Sequence, residues 1–367
     1  DGSVRGQMLL GISNVLNVAN IHIGYAKTTG YFDFNTGVSG GSVVLQGTNG
    51  GRGNVYVGEF NQNNSGTQPT GYFTITNAGC SISAQLNQLA AGVRSVNANG
   101  AANGAYGNFV FNAGVVDANN MILGKDQAGG ISTGTCSGVF IMNGGVLNIN
   151  TNLIMGQSQS SGPGSAKGYF TINGGTAIVQ TVTIGDQIST GAATGSVTIA
   201  NGAILAKTIQ PGAGTATRTF NWVNGTIRNY DASTDLVISN LNISLNSAGS
   251  HVVAVDNGRT AYITSSFANG GNLIKSGAGT MILYSNNTYS GATIVSNGVL
   301  DVVGAANLGS SAGITVEAGA QLTLEGAGNM IGDSATVYIN SSGKIYLTNL
   351  VNEVVAKLYT NGIVLAA

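Results

Sequence analysis

The chain has 367 residues, and only 7% of them are charged, with 13 Lys and Arg against 14 Asp and Glu. That fraction is far below the roughly 25% of an ordinary soluble protein. A formal net charge of −1 without a basic cluster predicts no nucleic-acid partner and no attraction to an anionic membrane. Glycine is abundant, but 43% hydrophobic residues and only 3 prolines predict a chain that buries a core and folds.

The composition favours strands over helices. Asn, Ser, Thr and Gly make up most of the polar residues, and Val, Ile and Thr are frequent. These residues have low helix propensity and suit strands and tight turns, so we predict an all-β fold. No apolar run approaches the ~20 residues of a membrane helix, so we expect no membrane insertion by this chain.

One short block, Gly-aromatic-x-aromatic or aliphatic, usually followed by Asn, recurs along the first part of the chain. Its copies are GYFDFN at 30–35, GYFTI at 71–75, GNFVFN at 107–112, GVFIMN at 138–143 and GYFTIN at 168–173, with weaker copies at 195–199 and 218–222. Side chains two apart on a strand point to the same face. The predicted core stack is therefore Phe32, Phe34, Phe73, Ile75, Phe109, Phe111, Phe140, Met142, Phe170, Ile172, Phe220 and Trp222.

Each of the stronger blocks runs into a turn of the form Asn-x-Gly. Asn and Gly are the residues that most readily adopt a positive φ, so we predict a sharp corner at each turn. The predicted corner residues are Asn35, Gly37, Asn77, Gly79, Asn112, Gly114, Asn143, Gly145, Asn173 and Gly175.

A second apolar stretch follows each corner and closes on a hydrophobic residue plus Gly, as at Val57-Gly58 and Leu123-Gly124. A polar segment of variable length comes next, and these segments are 61–70, 93–106, 125–137 and 157–167. Fixed strands separated by one variable insertion per repeat are typical of stacked coils, in which only an outward loop can change its length. One repeat cannot bury its own apolar face, but coils stacked at ~4.8 Å can.

We therefore predict a single-chain parallel β-solenoid, an elongated rod with its variable loops on one edge. The usual preference of parallel crossovers predicts a right-handed coil. Residues 1–228 carry the Gly-aromatic repeats and the long edge loops, and residues 229–367 continue the solenoid with a different repeat sequence. The short strands expected in this second part are 236–239, 251–255, 281–284, 293–295, 299–302, 314–317, 321–325 and 336–339.

Residues 273–302, LIKSGAGTMILYSNNTYSGATIVSNGVLDV, closely resemble the autotransporter-associated β-strand repeat of bacterial surface proteins. The residues that carry the resemblance are Lys275, Gly277, Gly279, Thr280, Leu283, Asn287, Thr288, Tyr289, Gly291, Thr293, Val295 and Gly298. The resemblance implies a secreted bacterial β-solenoid, extracellular or on the cell surface, often a stalk or adhesin-like passenger. The family has no common catalytic residues, so none is carried over.

The residues themselves give little sign of catalysis. Glu59, Asp126 and Asp186 stand at or near the closing Gly of a coil, but consecutive members are about two rungs, ~9.6 Å, apart. We expect them to be solvated residues at the start of loops, with a Ca²⁺ or catalytic role as the alternative. We predict no catalytic residue, no cofactor and no metal site.

The histidines and cysteines form no recognisable site. We expect His22 and His251 at the surface, since neither belongs to a Ser-His-Asp or zinc-binding pattern. Cys80 and Cys136 are expected to be small buried or loop thiols. The alternative is a disulfide, which requires Cα atoms within ~7 Å of each other.

The outward tyrosines offer a binding hypothesis. Tyr31, Tyr72 and Tyr169 share one position of the repeated block and could form a stacking platform for a sugar. The alternative is that they are ordinary tyrosines on a sheet face.

The candidate assembly ends are apolar and strand-like. They comprise Met8, Leu9 and Leu10 near the start and Ile363, Val364 and Leu365 near the finish. A sheet end exposes unpaired N–H and C=O groups, so we expect one subunit's end to dock on the opposite end of the next by strand addition. Such a contact does not close, and the expected partner is the same chain in a head-to-tail homopolymer.

The predicted function is accordingly structural rather than enzymatic: a fibre, stalk or sheath component. One alternative is an adhesin whose insertion edge, residues 61–167, recognises a surface glycan or a neighbouring cell. The other is a polysaccharide lyase or hydrolase, which would need a compact cluster of acids.

Overall fold

The computed structural model describes residues 5–61, 67–95, 104–127, 133–246, 249–326, 328–349 and 351–366. Within these ranges the regular structure is all strand, apart from one 3₁₀ turn at Thr48–Gly50. The chain divides into two compact units, one of residues 1–198 with 211–219 and one of residues 199–210 with 220–367. The boundary between residues 228 and 229 stays a prediction.

The strands are numbered in chain order. Strands β1 to β17 are Arg5–Leu10, Ser13–Asn17, Asn20–Tyr25, Thr29–Phe34, Ser42–Gln46, Gly53–Phe60, Thr70–Ile75, Ser81–Arg94, Tyr106–Phe111, Gly114–Asp126, Thr135–Met142, Val146–Ser158, Ser165–Ile172, Thr176–Gln187, Ala192–Ile199, Ala203–Pro211 and Thr217–Trp222. Strands β18 to β33 are Gly225–Asn229, Leu236–Ile238, Asn242–Leu245, Ser250–Ala254, Thr260–Ile263, Ser266–Ala268, Asn272–Ser276, Thr280–Leu283, Thr293–Val295, Val299–Gly304, Gly313–Val316, Gln321–Gly326, Thr336–Ile339, Lys344–Thr348, Lys357–Thr360 and Ile363–Ala366.

In the first unit, each strand pairs in parallel with a strand one coil away. One wall has the order β1-β4-β7-β9-β11-β13. The facing wall begins with two short strands per coil, β2 and β3, then β5 and β6, and continues with the long strands β8, β10, β12 and β14. The prediction of an all-β parallel solenoid is confirmed.

In the second unit the strands also pair in parallel from coil to coil, but they are shorter. One ladder runs β18-β21-β24-β26-β28-β30-β32, and another runs β19-β22-β25-β27-β29-β31. All of these pairs are parallel. β33 departs from the rule, because it returns antiparallel to β32.

The predicted core side chains lie inside, and each has at most 3% exposure. In the first unit the phenylalanines form a column, with ring centroids 4.5 Å apart for Phe32 and Phe73, and 4.2 Å for Phe73 and Phe109. Phe109 and Phe140 follow at 5.1 Å. This spacing follows from the strand separation of ~4.8 Å, since identical residues in register place ring over ring.

At the predicted corners, Gly and Asn have different roles. All five glycines have a positive φ, from +66° at Gly79 to +103° at Gly114. None of the five asparagines has one. Their amides instead link the coils: Asn143 Nδ2 donates to Asn112 Oδ1 at 2.7 Å, and Asn173 Nδ2 donates to Asn143 Oδ1 at 2.8 Å.

A second asparagine row runs along the outer surface of the first unit. Asn54 donates to Asn20 at 2.9 Å, Asn87 to Asn54 at 3.4 Å, Asn119 to Asn87 at 3.2 Å, and Asn150 to Asn119 at 3.2 Å. An amide offers both a donor and an acceptor, so identical residues can pair from one coil to the next. The many asparagines of the chain thus hold neighbouring coils in register.

The sequence suggested that the glycine of each closing pair ends its strand. In the structure the strand continues past this glycine. A Cβ atom at Gly58 would lie 1.8 Å from the Tyr106 carbonyl oxygen, and one at Gly107 would lie 1.9 Å from the Val57 carbonyl oxygen. The two walls therefore approach backbone to backbone at these glycines. The long strands continue beyond this contact, β8 to Arg94 and β10 to Asp126, and enclose a second, smaller compartment.

Candidate functional site

The second compartment of the first unit contains a buried ion pair. Phe60, Arg94, Asp126 and Ser158 are successive cross-strand neighbours and are all buried. Arg94 Nε donates to Asp126 Oδ1 at 2.8 Å, and neither side chain is exposed. The expectation of a solvated Asp126 is wrong, because its strand continues past Gly124 and turns the carboxylate inward.

Glu59 is also buried rather than solvated. Its Oε2 atom lies 2.6 Å from His22 Nδ1, and Ser95 Oγ donates to its Oε1 atom at 3.2 Å. The His22 ring faces outward and stacks on Tyr56 at 5.0 Å. Each oxygen of the Glu59 carboxylate thus has a partner within the protein.

The three acids do not meet. Glu59 and Asp186 belong to one cross-strand row, with three strands between them. Asp126 lies one residue further along its strand and faces the opposite way. Asp186 is half-buried and accepts hydrogen bonds from Gln157 at 3.0 Å and from the Ala213 N–H at 3.0 Å. Within the described ranges, no three His, Cys, Asp or Glu residues lie close enough to hold a metal ion.

His251 is buried, so its expected surface position is wrong. It occupies an inward position of β21, with one ring nitrogen 2.7 Å from the Asn272 carbonyl oxygen and the other 2.8 Å from that of Trp222. Its ring meets Trp222 edge-on at 5.3 Å. His251 is therefore a core residue whose ring lies between two backbone carbonyl groups, and its alternation with the inward Val253 would have indicated the buried position.

Both cysteines are free and buried. Cys136 lies within β11 rather than in a loop, against the Arg94 and Asp126 pair. Burial raises the pKa of the Cys136 thiol to about 12, although the Arg94 charge opposes the shift. Cys80 Sγ accepts a hydrogen bond from the Gly41 N–H at 3.2 Å. Both cysteines are therefore packed inside the first unit as free thiols.

The tyrosine platform has little free ring surface. Tyr31 and Tyr72 are direct cross-strand neighbours, whereas Asn108 and Val139 separate Tyr72 from Tyr169 in the same row. The Tyr31 ring stacks on Tyr72 at 5.1 Å, and the Arg5 guanidinium covers its other face at 4.4 Å. A sugar ring stacking on Tyr31 would therefore need one of these occupied faces.

β1, β2 and β3 form the first coil of the first unit that the structure describes. Among the described residues, β1, β2 and β3 each pair on one side only. Met8, Leu9 and Val15 are exposed there, whereas Leu10 is buried. A cavity of about 300 Å³ opens beside Met8. Its lining mixes apolar side chains, such as Ile21, Ile23 and Phe32, with glycines and with polar side chains that include Gln7 and His22.

The C-terminal end of the second unit is apolar as well. Ile363, Val364 and Leu365 of β33 are all exposed. A cavity of about 290 Å³ lies in this region, lined by seven aliphatic residues and Glu353. The Glu353 carboxylate accepts hydrogen bonds from the Met330 and Ile331 N–H groups, and burial raises its pKa.

The segment 273–302 contains a buried lysine. Lys275 Nζ donates to the carbonyl oxygens of Ser276, Gly277 and Asn297 at 2.8, 2.7 and 3.0 Å. Burial lowers the pKa of this amine to about 8. Three carbonyl acceptors match the three donors of an ammonium group, so Lys275 ties one turn to the next coil.

The other polar residues of this segment are equally enclosed. Asn287 accepts a hydrogen bond from the Phe267 N–H at 2.8 Å and donates to the Asn307 carbonyl at 2.7 Å. The hydroxyls of the buried Tyr289 and Thr293 lie 2.5 Å apart. The recurring polar positions of the repeat are therefore structural, since each satisfies backbone or side-chain groups inside the coil.

Residues 273–302 match the family model of the passenger-associated-transport-repeat. The predicted resemblance is thus confirmed, and the chain carries an autotransporter passenger repeat, a type of repeat that in general indicates a secreted surface protein. Neither a curated protein nor a solved structure gives a significant match to the chain. The described residues include no helix with the length and apolar character of a membrane span.

Proposed function

We propose that this chain is a structural protein of the bacterial cell surface that associates end to end into a fibre, stalk or sheath. The observation that carries the proposal is the open end at β1, β2 and β3, whose outer edges have no partner among the described residues. Unpaired strand edges beside exposed apolar side chains favour the addition of further strands. The passenger repeat supports a secreted location.

A second copy of the chain is the occupant that we propose for this end. Both ends combine exposed aliphatic side chains with a cavity of nearly the same volume, about 300 and 290 Å³, and the second of these cavities is lined mainly by aliphatic residues. Because the two surfaces differ, the contact is heterologous and each added copy presents a new open end.

The geometry of β33 refines the expected contact. This strand covers the outer edge of β32 in the antiparallel sense. β31 pairs only with β29 among the described residues, so its outer edge is open to a parallel neighbour. We therefore expect β31, with the exposed side chains of β33, to meet the β1 to β3 end of the next copy.

The two alternatives have less support from the residues first considered for them. The rings of Tyr31 and Tyr72 cover each other, which weakens a sugar platform in that row. Glu59, Asp126 and Asp186 are separated and engaged within the protein, which weakens a polysaccharide-cleaving site there.

The test is the assembly state of the full chain as a function of concentration, measured by sedimentation velocity and negative-stain electron microscopy. We expect growing oligomers and filaments for the wild type. Val15→Glu places a charge at the open end and should suppress them. Ile188→Glu, at an exposed position after β14, is the matched control and should assemble as the wild type does.

Two results would contradict the proposal. One is a wild-type chain that stays monomeric at the highest attainable concentration. The other is equal assembly by the wild type, Val15→Glu and Ile188→Glu, which would show that the open end makes no contact.

A further inference from the structure

One outward face of the second unit carries three exposed tyrosines, spread along the ladder from β22 to β31. Tyr262 of β22 and Tyr346 of β31 belong to the same cross-strand row, separated by Ile282, Asp301 and Thr323. Four strand spacings place these tyrosines ~19 Å apart. The row therefore has the length of a short oligosaccharide.

A third tyrosine lies in the neighbouring row. Tyr284 directly follows β25, and its N–H donates to the Ile263 carbonyl, so it continues the ladder. Tyr262, Tyr284 and Tyr346 are 38%, 43% and 44% exposed. Unlike Tyr31, none of them stacks on another aromatic ring or under a cationic side chain within the described part of the chain.

Two carboxylates occupy the same face between these tyrosines. Asp301 is on β27. Glu325 is on the neighbouring strand β29, where it pairs with Val303 of β27. Burial and the Glu325 charge raise the pKa of Asp301. The Asp301 Oδ1 atom is buried, yet it accepts no hydrogen bond from a described residue. A buried acceptor without a donor is costly, and the Asp301 side chain as a whole is only half-buried, so a sugar hydroxyl can reach the exposed part of this carboxylate.

We propose that this face binds a neutral, unbranched oligosaccharide laid along the stacking direction from β22 to β31. The rings of Tyr262, Tyr284 and Tyr346 pack against the C–H faces of successive sugars, and the two carboxylates accept hydrogen bonds from sugar hydroxyls. A pyranose has apolar faces and a polar rim, which is the combination that exposed aromatic rings and nearby acceptors recognise.

The charge of the face selects among glycans. Asp301 and Glu325 lie at its centre, and Lys344 is at its edge, two residues before Tyr346. A uronate chain would bring carboxylates against these two acids, and like charges at short distance repel. We therefore infer that the face excludes acidic polysaccharides. The face ends at Tyr346 on β31, the strand that we propose meets the next copy, so its binding is tested on the unassembled chain. The inference itself rests on this face and not on end-to-end assembly.

The test uses isothermal titration calorimetry with cellohexaose and N-acetylchitohexaose as neutral probes and hexagalacturonate as the acidic probe. The full chain is used in the Val15→Glu background, which keeps assembly from obscuring binding. We expect at least one neutral probe to bind and hexagalacturonate not to bind. Tyr262→Ala combined with Tyr284→Ala should weaken binding about tenfold or more.

The matched control is Tyr338→Ala, which removes an equally exposed tyrosine from the other ladder and should leave binding unchanged. Circular dichroism of each variant checks that the strands are retained. Asp301→Asn with Glu325→Gln should admit hexagalacturonate. The inference is overturned if neither neutral probe binds, if the two tyrosine replacements leave the affinity unchanged, or if hexagalacturonate binds the wild type as tightly as the neutral probes.

Discussion

Arg94 Nε and Asp126 Oδ1 lie 2.8 Å apart inside the first unit, and neither side chain has any exposed surface. Replacing Arg94 with Met would leave the Asp126 carboxylate buried without its cation. We expect Arg94→Met to lower the free energy of unfolding by about 3–5 kcal/mol. Urea denaturation followed by circular dichroism measures this change.

Two controls separate burial from charge. Arg94→Met with Asp126→Leu removes both charges and should recover most of the loss, because the desolvation penalty of both ions disappears. Arg52→Met breaks the pair with Asp117, which is about one-third exposed, and exposed pairs contribute about 0–1 kcal/mol. Equal losses for Arg94→Met and Arg52→Met would contradict the assigned role of burial.

The backbone contact between the walls predicts a strong effect of a single methyl group. Gly107→Ala would place a Cβ atom 1.9 Å from the Val57 carbonyl oxygen, so the walls must move apart. We expect a loss of at least about 1–3 kcal/mol. Gly6→Ala is the matched control, since no atom lies within 4 Å of its added Cβ, and neither glycine has a positive φ. Similar unfolding midpoints for the two variants would show that the close contact is absent.

Lys275 predicts a pH dependence of the second unit. Burial lowers its pKa to about 8 from the ordinary value of 10.5. Between these values the unfolded chain holds a proton that the folded chain has released, so the stability that Lys275 contributes rises with pH across this window. Urea titrations followed by the fluorescence of Trp222, the single tryptophan, measure it at both ends of the window.

Lys275→Met supplies the reference for that measurement. It removes the titrating group, so the difference between wild type and variant cancels the contribution of the other ionisable residues. The wild type should gain stability relative to Lys275→Met as the pH rises. A constant difference, or one that shrinks, would contradict the lowered pKa.

The cysteines should resist thiol reagents in the folded chain. Cys80 and Cys136 are buried, and a pKa of about 12 keeps the Cys136 thiol protonated. We expect no reaction with an aromatic disulfide reagent in buffer and reaction of both thiols in concentrated urea. Cys80→Ser isolates Cys136 for the same assay. Fast labelling of the native Cys80→Ser variant would show that Cys136 is accessible.

The fold could be predicted because its signal is repeated. Phe73, Phe109 and Phe140 recur at one position of a block with period-two alternation. The eight strands expected in the second part agree with observed strands to within one or two residues, whereas others, such as Asn242–Leu245 and Asn272–Ser276, were not expected. In β26 the expected range 293–295 is also the observed strand Thr293–Val295. Stacking coils multiply one local pattern, so each copy supports the same register.

The polar interior was harder to predict because it depends on where strands end. A closing Gly resembles a turn, but Gly58 and Gly124 are sites of close backbone approach within longer strands, and Asp126 is buried for that reason. The roles of the corner asparagines depend on neighbours about thirty residues away, as in the pair of Asn143 with Asn112. A single copy of the repeat contains no information about such partners.

The asparagine rows have a consequence for the ionic environments in which the molecule can keep its form. Their links join neutral amides, as between Asn87 and Asn54, and contain no formal charge to be screened. In 1 M salt the screening length falls to about 3 Å, which weakens exposed ion pairs but leaves amide pairs almost unaffected. A surface held together in this way should keep the same register in fresh water and in brine.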